Sequence, residues 1–516
     1  PAPLGAGAWA HLGGSGSVTT SPAPDQQSDR QSDRQSDRQS DRQSDRQSDR
    51  PGPSSTPLAD AGYALGPLDG RYRGAVAPLV EHLSEAALNR ERLRVEVEWL
   101  LHLTTTGAVP GARRPSEAEA EHLRGLVAGF GPQAVAEMAE VERETVHDVK
   151  AVEVWLRRQM AGTPSADLTE LVHFCLTSED VNNLSYALML QGAVHRVWLP
   201  AARALQVQLV GMAHDAADAP MLARTHGQPA TPTTLGKELA VTAARLDRQL
   251  RRVERTEVLG KLNGATGTYA AHAVAVPTTD WRRVSRTFVE GLGLVWNPLT
   301  TQIESHDWQA ELYSDVARFN RVLHDLCTDV WSYISLGYFA QVRGMGTVGS
   351  STMPHKVNPI RFENAEANLE VSSALLDVLA STLVTSRLQR DLTDSSMQRN
   401  AGTAFGHSLL AVENVRKGLA GLDVDEAAMA RDLDANWEVL GEAVQSVMRA
   451  ASVAGVAGMD DPYSRLKELT RGRRVDAEGM RAFVAGLGLP DEARDRLLAL
   501  TPGGYTGLAA ELARTV

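Results

Sequence analysis

Eleven consecutive residues hold the densest set of reactive side chains in the chain: Gly349-Ser350-Ser351-Thr352-Met353-Pro354-His355-Lys356-Val357-Asn358-Pro359. Pro354 and Pro359 each remove a backbone donor and push the preceding residue towards extended geometry, so this stretch is a loop. Gly344, Gly346 and Gly349 loosen the backbone that leads into it. A surface linker has no use for hydroxyl, imidazole, ammonium and amide groups together, whereas a catalytic loop on a helical scaffold does. Gly344-Met345-Gly346-Thr347-Val348-Gly349 also matches the dinucleotide-binding pattern GxGxxG. That pattern works only after a strand and before a helix; neither is predicted here, so the match is fortuitous.

Four further polar clusters lie where helices would stop. The first is Thr145-Val146-His147-Asp148-Val149-Lys150. The second runs His173 to Asn183, where Thr177 or Ser178 can cap a helix whose first turn holds Glu179 and Asp180. Capping accounts for those residues but leaves His173, Asn182 and Asn183 unexplained. In the third, Arg224 to Thr234, Pro229 and Pro232 brace the loop that carries His226. The fourth, Ser386 to Ser396 followed by Arg399, offers Arg387, Arg390 and Arg399 among hydroxyls. Guanidinium groups bind phosphates and carboxylates bidentately, though a solvated charged face would show the same composition. No Cys/His/Asp spacing suits a metal, and neither a GxSxG elbow nor a P-loop is present. The remaining chemistry is proton removal beside a carboxylate and protonation of a leaving group, with Lys356 and amide donors stabilising the aci-carboxylate.

The elements that must position these groups are helices. Leu235, Leu239, Ala243, Leu246, Leu250 and Val253 recur at threes and fours, as do Trp308, Leu312, Val316, Phe319, Leu323, Leu326, Val330 and Ile334. Leu184 to Leu209, with Pro200 as an expected kink or break, and Glu363 to Leu383 repeat the pattern. Earlier helices are predicted from Ser84, over 116–128, and as one segment from Glu142 to Met160. No sustained alternating run signals a strand. The expectation is an all-α protein: a bundle of long helices whose wide apolar stripes predict self-association. Its parts are expected at 59–165, at 166–417 with the loop 344–359, and at 418–516. Residues 1–58, where Gln-Ser-Asp-Arg repeats six times from Gln27 to Arg50, lack the apolar content to offset ordering and are expected to be disordered.

Composition narrows the classes. The net charge of −12 opposes non-specific nucleic-acid binding, so any anion site must be local. Two cysteines, Cys175 and Cys327, form no disulfide framework; with no secretory signal and no membrane-length apolar run, a cytoplasmic location is expected.

The motif Gly349-Ser350-Ser351-x-Met353-Pro354-x-Lys356-x-Asn358-Pro359 resembles the signature of the fumarase/aspartase superfamily, most of whose members are lyases that release fumarate. Within it, His147-Asp148-Val149-Lys150-Ala151, Thr177-Ser178-Glu179-Asp180 and Arg224 to Pro232 resemble the adenylosuccinate lyases. Pro67 to Tyr72, Arg390 to Ser395 and Leu469 to Gly479 are similar to the bacterial purine-biosynthesis form of that family. The resemblance spans about residues 65 to 516 and leaves out only the N-terminal tail. It implies a homotetramer with active sites built from three subunits, no metal and no cofactor. It also implies cleavage of two nucleotide substrates, adenylosuccinate and the succinyl-carboxamide ribotide SAICAR. Carried over, Ser350 would be the base and His226 the acid, oriented by Glu363. Lys356 and Asn358 would hold the succinyl carboxylates, with Thr177, Ser178, Gln302 and Ser351 lining the substrate. Arg71, Tyr72, His147, Asp148, Asn364, Arg390, Ser395 and Arg399 would hold the nucleotide, with His147, like Lys356, also counted among the catalytic residues. Related lyases whose substrates lack a phosphate leave the arginine cluster and the His147–Ala151 run without purpose. A non-catalytic helical scaffold would need no Ser350, His226 and Lys356 together.

Overall fold

Helix starts follow the capping residues that the sequence supplies. α1 (Arg73–Leu83) leads into α2 (Glu85–Thr106), where the Ser84 hydroxyl accepts from the Ala87 N–H at 3.1 Å. α3 (Glu117–Ala128) opens on a reciprocal Ser116–Glu119 capping box. The structure, a computed structural model, describes residues 64–342, 353, 357–470 and 475–516. The repeat segment, the GxGxxG match and Ser350, Ser351 and Lys356 lie outside them. Among the described residues no helix is long and apolar enough to cross a membrane.

The segment expected as one helix from Glu142 to Met160 is two, α4 (Pro132–Thr145) and α5 (Asp148–Met160). Val146 takes a left-handed backbone at φ 51°, which ends α4, and His147 starts α5 by accepting the Lys150 N–H through Nδ1 at 3.2 Å. Both helices bury apolar stripes in one cluster around Leu93, Met138, Val152 and Leu156, so the periodicity continues across the break. Pro200, expected as a kink or break, does not break the helix. α6 (Ser178–Ala193) passes through a π-helical turn, Val194–Trp198, directly into α7 (Leu199–Asp215). The widened turn makes room for the proline ring against the preceding carbonyls, so the chain stays helical.

The bundle is completed by α8 (Leu235–Glu254), and, after the shorter α9 (Ala270–Ala275) and α10 (Trp281–Gly291), by α11 (Asp307–Ser335) and α12 (Ile360–Leu383). α13 (Thr393–Gln398) then leads into α14 (Ala401–Leu419). All six apolar positions read along α8 are buried. α12 runs antiparallel to α11, as the contacts Arg321–Asp377, Thr328–Glu366 and Trp331–Glu363 show, and α8 does the same through Arg252–Asp315 and Arg245–Asp325. A buried polar chain fixes the register. Trp198 Nε1 donates to Ser408 Oγ at 2.8 Å, Ser408 to Asn320 Oδ1 at 2.7 Å, and Asn320 Nδ2 to Ser372 Oγ at 2.9 Å. A slip of one turn would leave each of these groups buried without a partner.

Among the described residues, strands are confined to two- and three-residue pairs. From α15 (Glu426–Asp434) to α20 (Ala509–Ala513) the helices shorten; those between them share a separate core of Trp437, Leu440, Val444, Met448, Val484 and Leu487, while Met429 of α15 and Ala513 of α20 pack into the bundle core. The described residues from 64 onward belong to one compact unit.

Candidate active site

Because α11 and α12 are antiparallel, the candidate residues fall at two ends of the bundle. At one end are Gln302, just before α11, Thr177 and Ser178 at the start of α6, and the segment that follows α12, with Arg390, Ser395 and Arg399.

This end is built on α6, which is buried on every side from Glu179 to Leu190. Its polar residues therefore need internal partners. Asp180 caps the Thr177 N–H at 2.9 Å, accepts from the N–H groups of Asn263 and Gly264, and pairs with the fully buried Lys261 at 2.8 Å. Asn183 clasps the Lys261 backbone from both sides. Gln302 Nε2 reaches Thr177 Oγ1 at 3.3 Å. His173, with a left-handed backbone at φ 59°, holds Glu96 through both its N–H and Nδ1, the latter at 2.6 Å. Burial disfavours the charged ring, but the Glu96 contact prevails and raises its pKa above the usual histidine value.

A continuous chain of charges joins three of the sequence clusters. Arg399 Nη2 pairs with Asp148 at 3.0 Å, Asp148 with Arg92 at 2.8 Å, and Arg92 Nε donates to Asn182 at 3.0 Å. Asn182 donates to Glu179 at 2.8 Å, and Glu179 pairs with Arg390 at 2.9 Å. Burial alone would raise the Asp148 carboxyl, yet Arg92 and Arg399 hold it at about 2, so it is ionised at any physiological pH. Glu179 is pushed above the usual carboxylate range by burial, which Arg390 opposes. Arg399 also donates to Ser395 Oγ at 3.1 Å and to Glu85. His147 is half-exposed beside Asp148. Arg390 and Arg399 are thus fixed at the mouth of this end, and Arg387, largely in solvent, pairs with Asp391.

At the opposite end lie His226, Asn358, Glu363 and Asn364. His226 sits at the tip of a hairpin, β2 (Arg224–Thr225) with β3 (Gln228–Pro229). His226 and Gly227 both have positive φ, 54° and 73°, as a two-residue type I′ turn demands. The braces expected from Pro229 and Pro232 are therefore joined by turn geometry, which exposes the imidazole. Arg224 anchors the hairpin on Tyr338 at 2.9 Å and on Asp432. Gln341 holds the Val357 carbonyl at 2.8 Å, and the Asn358 Oδ1 is buried without a hydrogen-bond partner. Glu363 accepts from Trp331 at 3.3 Å; among the described residues no hydrogen bond or ion pair links it to His226. Asn364 donates to the Tyr72 hydroxyl at 3.1 Å and accepts from Asn414 at 2.8 Å; Arg71 is exposed beside Tyr72.

Sequence reasoning missed Arg92, Glu96, Lys261 and His306, all buried and all partners of residues it had named. Arg92 and Glu96 did leave a signal: two charges one turn apart inside the apolar run of α2.

Residues 70–371 match a family described as lyase, and residues 386–506 one described as adenylosuccinate lyase C-terminal. An adenylosuccinate lyase of Escherichia coli is 48% identical over 447 residues, covering 86% of this chain and 97% of its own. One of Vibrio cholerae is 47% identical, covering 87% and 98%. Among solved structures, a fumarate lyase from Mesorhizobium superposes with a TM-score of 0.68 at 20% identity, over 84% of this chain and 96% of that one. A 3-carboxy-cis,cis-muconate lactonizing enzyme from Pseudomonas putida gives 0.65 at 22%, over 84% and 94%. The fold is thus the all-α fold of the fumarase/aspartase superfamily. With near-complete coverage of its curated relatives and both family matches, the chain belongs to the adenylosuccinate lyase family.

Proposed function

We propose that this protein is a C–N lyase that eliminates fumarate from adenylosuccinate, giving AMP, and from SAICAR, giving AICAR. The carrying observation is its 48% identity to a relative of that name across 97% of the relative's length. In the reaction, Ser350 as alkoxide takes the Cβ proton of the succinyl group. The carbanion is held as an aci-carboxylate by Lys356 and Asn358, the C–N bond breaks, and His226 protonates the departing nitrogen. A serine is a weak base until its alkoxide is stabilised, which loop closure around Lys356 and backbone donors would supply. Arg390, Ser395 and Arg399 bind the nucleotide phosphate, with His147, Asp148, Arg71, Tyr72 and Asn364 around the rest. Thr177, Ser178, Gln302 and Ser351 complete the succinyl end.

The two-ended arrangement supports a site shared between subunits. α11 has 29 residues and α12 has 24, spans of about 43 and 36 Å. His226 and Glu363 lie at one end of that length, Arg390 and Arg399 at the other, so no small molecule touches both sets within one chain. A homotetramer in which antiparallel bundles meet would bring one chain's end to its partner's opposite end. Val241 on α8, Trp331 on α11, and Val371 and Val378 on α12 are about half-exposed, an apolar surface for such contact. A three-part division at 59–165, 166–417 and 418–516 is proposed, supported by the separate small cores around Leu93 and Val152 and around Trp437 and Met448, although the bundle core extends into both flanking parts.

The test is UV absorbance of the purified protein with adenylosuccinate, beside argininosuccinate, aspartate and malate. Cleavage of adenylosuccinate alone is expected, with His226→Ala reducing kcat about 10²–10⁴-fold. Turnover of another substrate instead would overturn the nucleotide assignment.

A further inference from the structure

Two buried carboxylates, Glu179 and Asp394, are near enough for their charges to repel, and both are less than one-tenth exposed. Glu179 has Arg390 as its counter-charge at 2.9 Å. Asp394 uses Oδ1 to accept the Ser395 N–H at 2.7 Å, while its Oδ2 is buried with no hydrogen-bond partner. Facing that oxygen at 3.5 Å is Nε2 of His306, a residue with 1% exposure. His306 precedes α11 with a left-handed backbone at φ 61°, and both its ring nitrogens lack hydrogen bonds. A non-glycine residue held in that conformation costs stability, so the surrounding structure must enforce it. Here its effect is to turn the imidazole inward, onto Asp394. Glu304 fixes the turn by accepting the His306 N–H at 2.9 Å. One turn into α11, Gln309 donates to Gln398 at 3.2 Å, a second tie between α11 and α13.

Arg390 Nε is itself buried without a hydrogen-bond partner. An unsatisfied carboxylate nearby would compete for that donor. We propose that His306 is a positioning residue: its Nε2, 3.5 Å from Asp394 Oδ2, holds that carboxylate at the start of α13 and leaves Arg390 for the anionic end of the substrate. Ser395 and Arg399 are set by the same contact, since Asp394 orients the Ser395 backbone and Ser395 accepts from Arg399. The proposal rests on the reading that this segment binds the nucleotide phosphate.

The experiment compares wild type with His306→Ala, His306→Gln and His306→Phe, all as the full-length assembled protein. Hydrogen exchange over residues 390–399 is read first without ligand, then KM and kcat for adenylosuccinate. His306→Ala is expected to speed exchange in that segment at least tenfold and to raise KM about tenfold, with kcat within threefold of wild type. Glutamine places its amide nitrogen near the position of the imidazole Nε2, so His306→Gln restores both readouts. Should His306→Ala fail to fold, His306→Phe keeps the ring but not its nitrogens and produces the same two changes. Wild-type exchange and KM in His306→Ala or His306→Phe, or failure of glutamine to restore them, overturns the proposal. Turnover by wild type judges the nucleotide reading separately, because the exchange measurement involves no substrate.

Discussion

Around the start of α6 the polar side chains are held by buried partners rather than by solvent, and that sets what single substitutions cost. Lys261 and Asp180 are fully buried and 2.8 Å apart, with the Asp180 carboxylate also capping Thr177. Removing one member strands a charge in the interior, so Lys261→Met should destabilise by about 3–5 kcal/mol, seen as a lower urea midpoint. His173 makes a different prediction. Its folded pKa is raised, so its pair with Glu96 stabilises fully below the unfolded value of about 6.5 and is lost as pH rises through the folded value. The stability difference between wild type and His173→Gln, measured by denaturant unfolding across pH, should therefore be largest in mild acid and shrink towards alkaline pH. A difference that grows with pH would reverse the assignment of the ring as the protonated partner.

Elements here approach closely where the sequence provides glycine. A Cβ on Gly236 would lie 2.6 Å from the backbone of Ala216 and Ala217, at the junction of α7 and α8. Gly236→Ala should cost about 1–3 kcal/mol and lower the Tm, because backbone cannot yield as a side-chain tip can. The same junction supports the hairpin that carries His226, so kcat should fall with stability. Long helices were legible because each keeps one apolar period throughout: α8, α11 and α12 begin and end within three residues of the runs read from sequence. The break at Val146–His147 was not legible, because it depends on one left-handed residue and a side-chain cap. The continuation past Pro200 depends on a π-helical turn, which no apolar spacing encodes.

At the scale of the whole molecule, the single chain separates His226 from Arg390 and Arg399, which the proposed chemistry would unite. An active site assembled from opposite ends of different copies predicts complementation. Mixing His226→Ala with Arg390→Ala under conditions that exchange subunits should restore a measurable fraction of adenylosuccinate cleavage at limiting substrate. Each homo-oligomer lacks one kind of group at every site, whereas a hybrid has some sites with both intact. Size-exclusion chromatography would confirm that mixed oligomers form, and their inactivity would place both groups on the same chain's site.

The sequence by itself determined the helical class, the bundle helices and the polar clusters, since those follow from local periodicity, capping and motif spacing. Arg390, Arg399, His147, Asp148, Thr177 and His226 could all be named from it. Tertiary structure decided which of them share a network. The route from Arg399 through Asp148, Arg92, Asn182 and Glu179 to Arg390 crosses about 300 residues of sequence. It also decided that Arg92, Lys261 and His306 are buried partners rather than surface charges. The physical reason is that burial belongs to the packed arrangement of helices, and a residue's type and neighbours in sequence do not say which distant group will neutralise it.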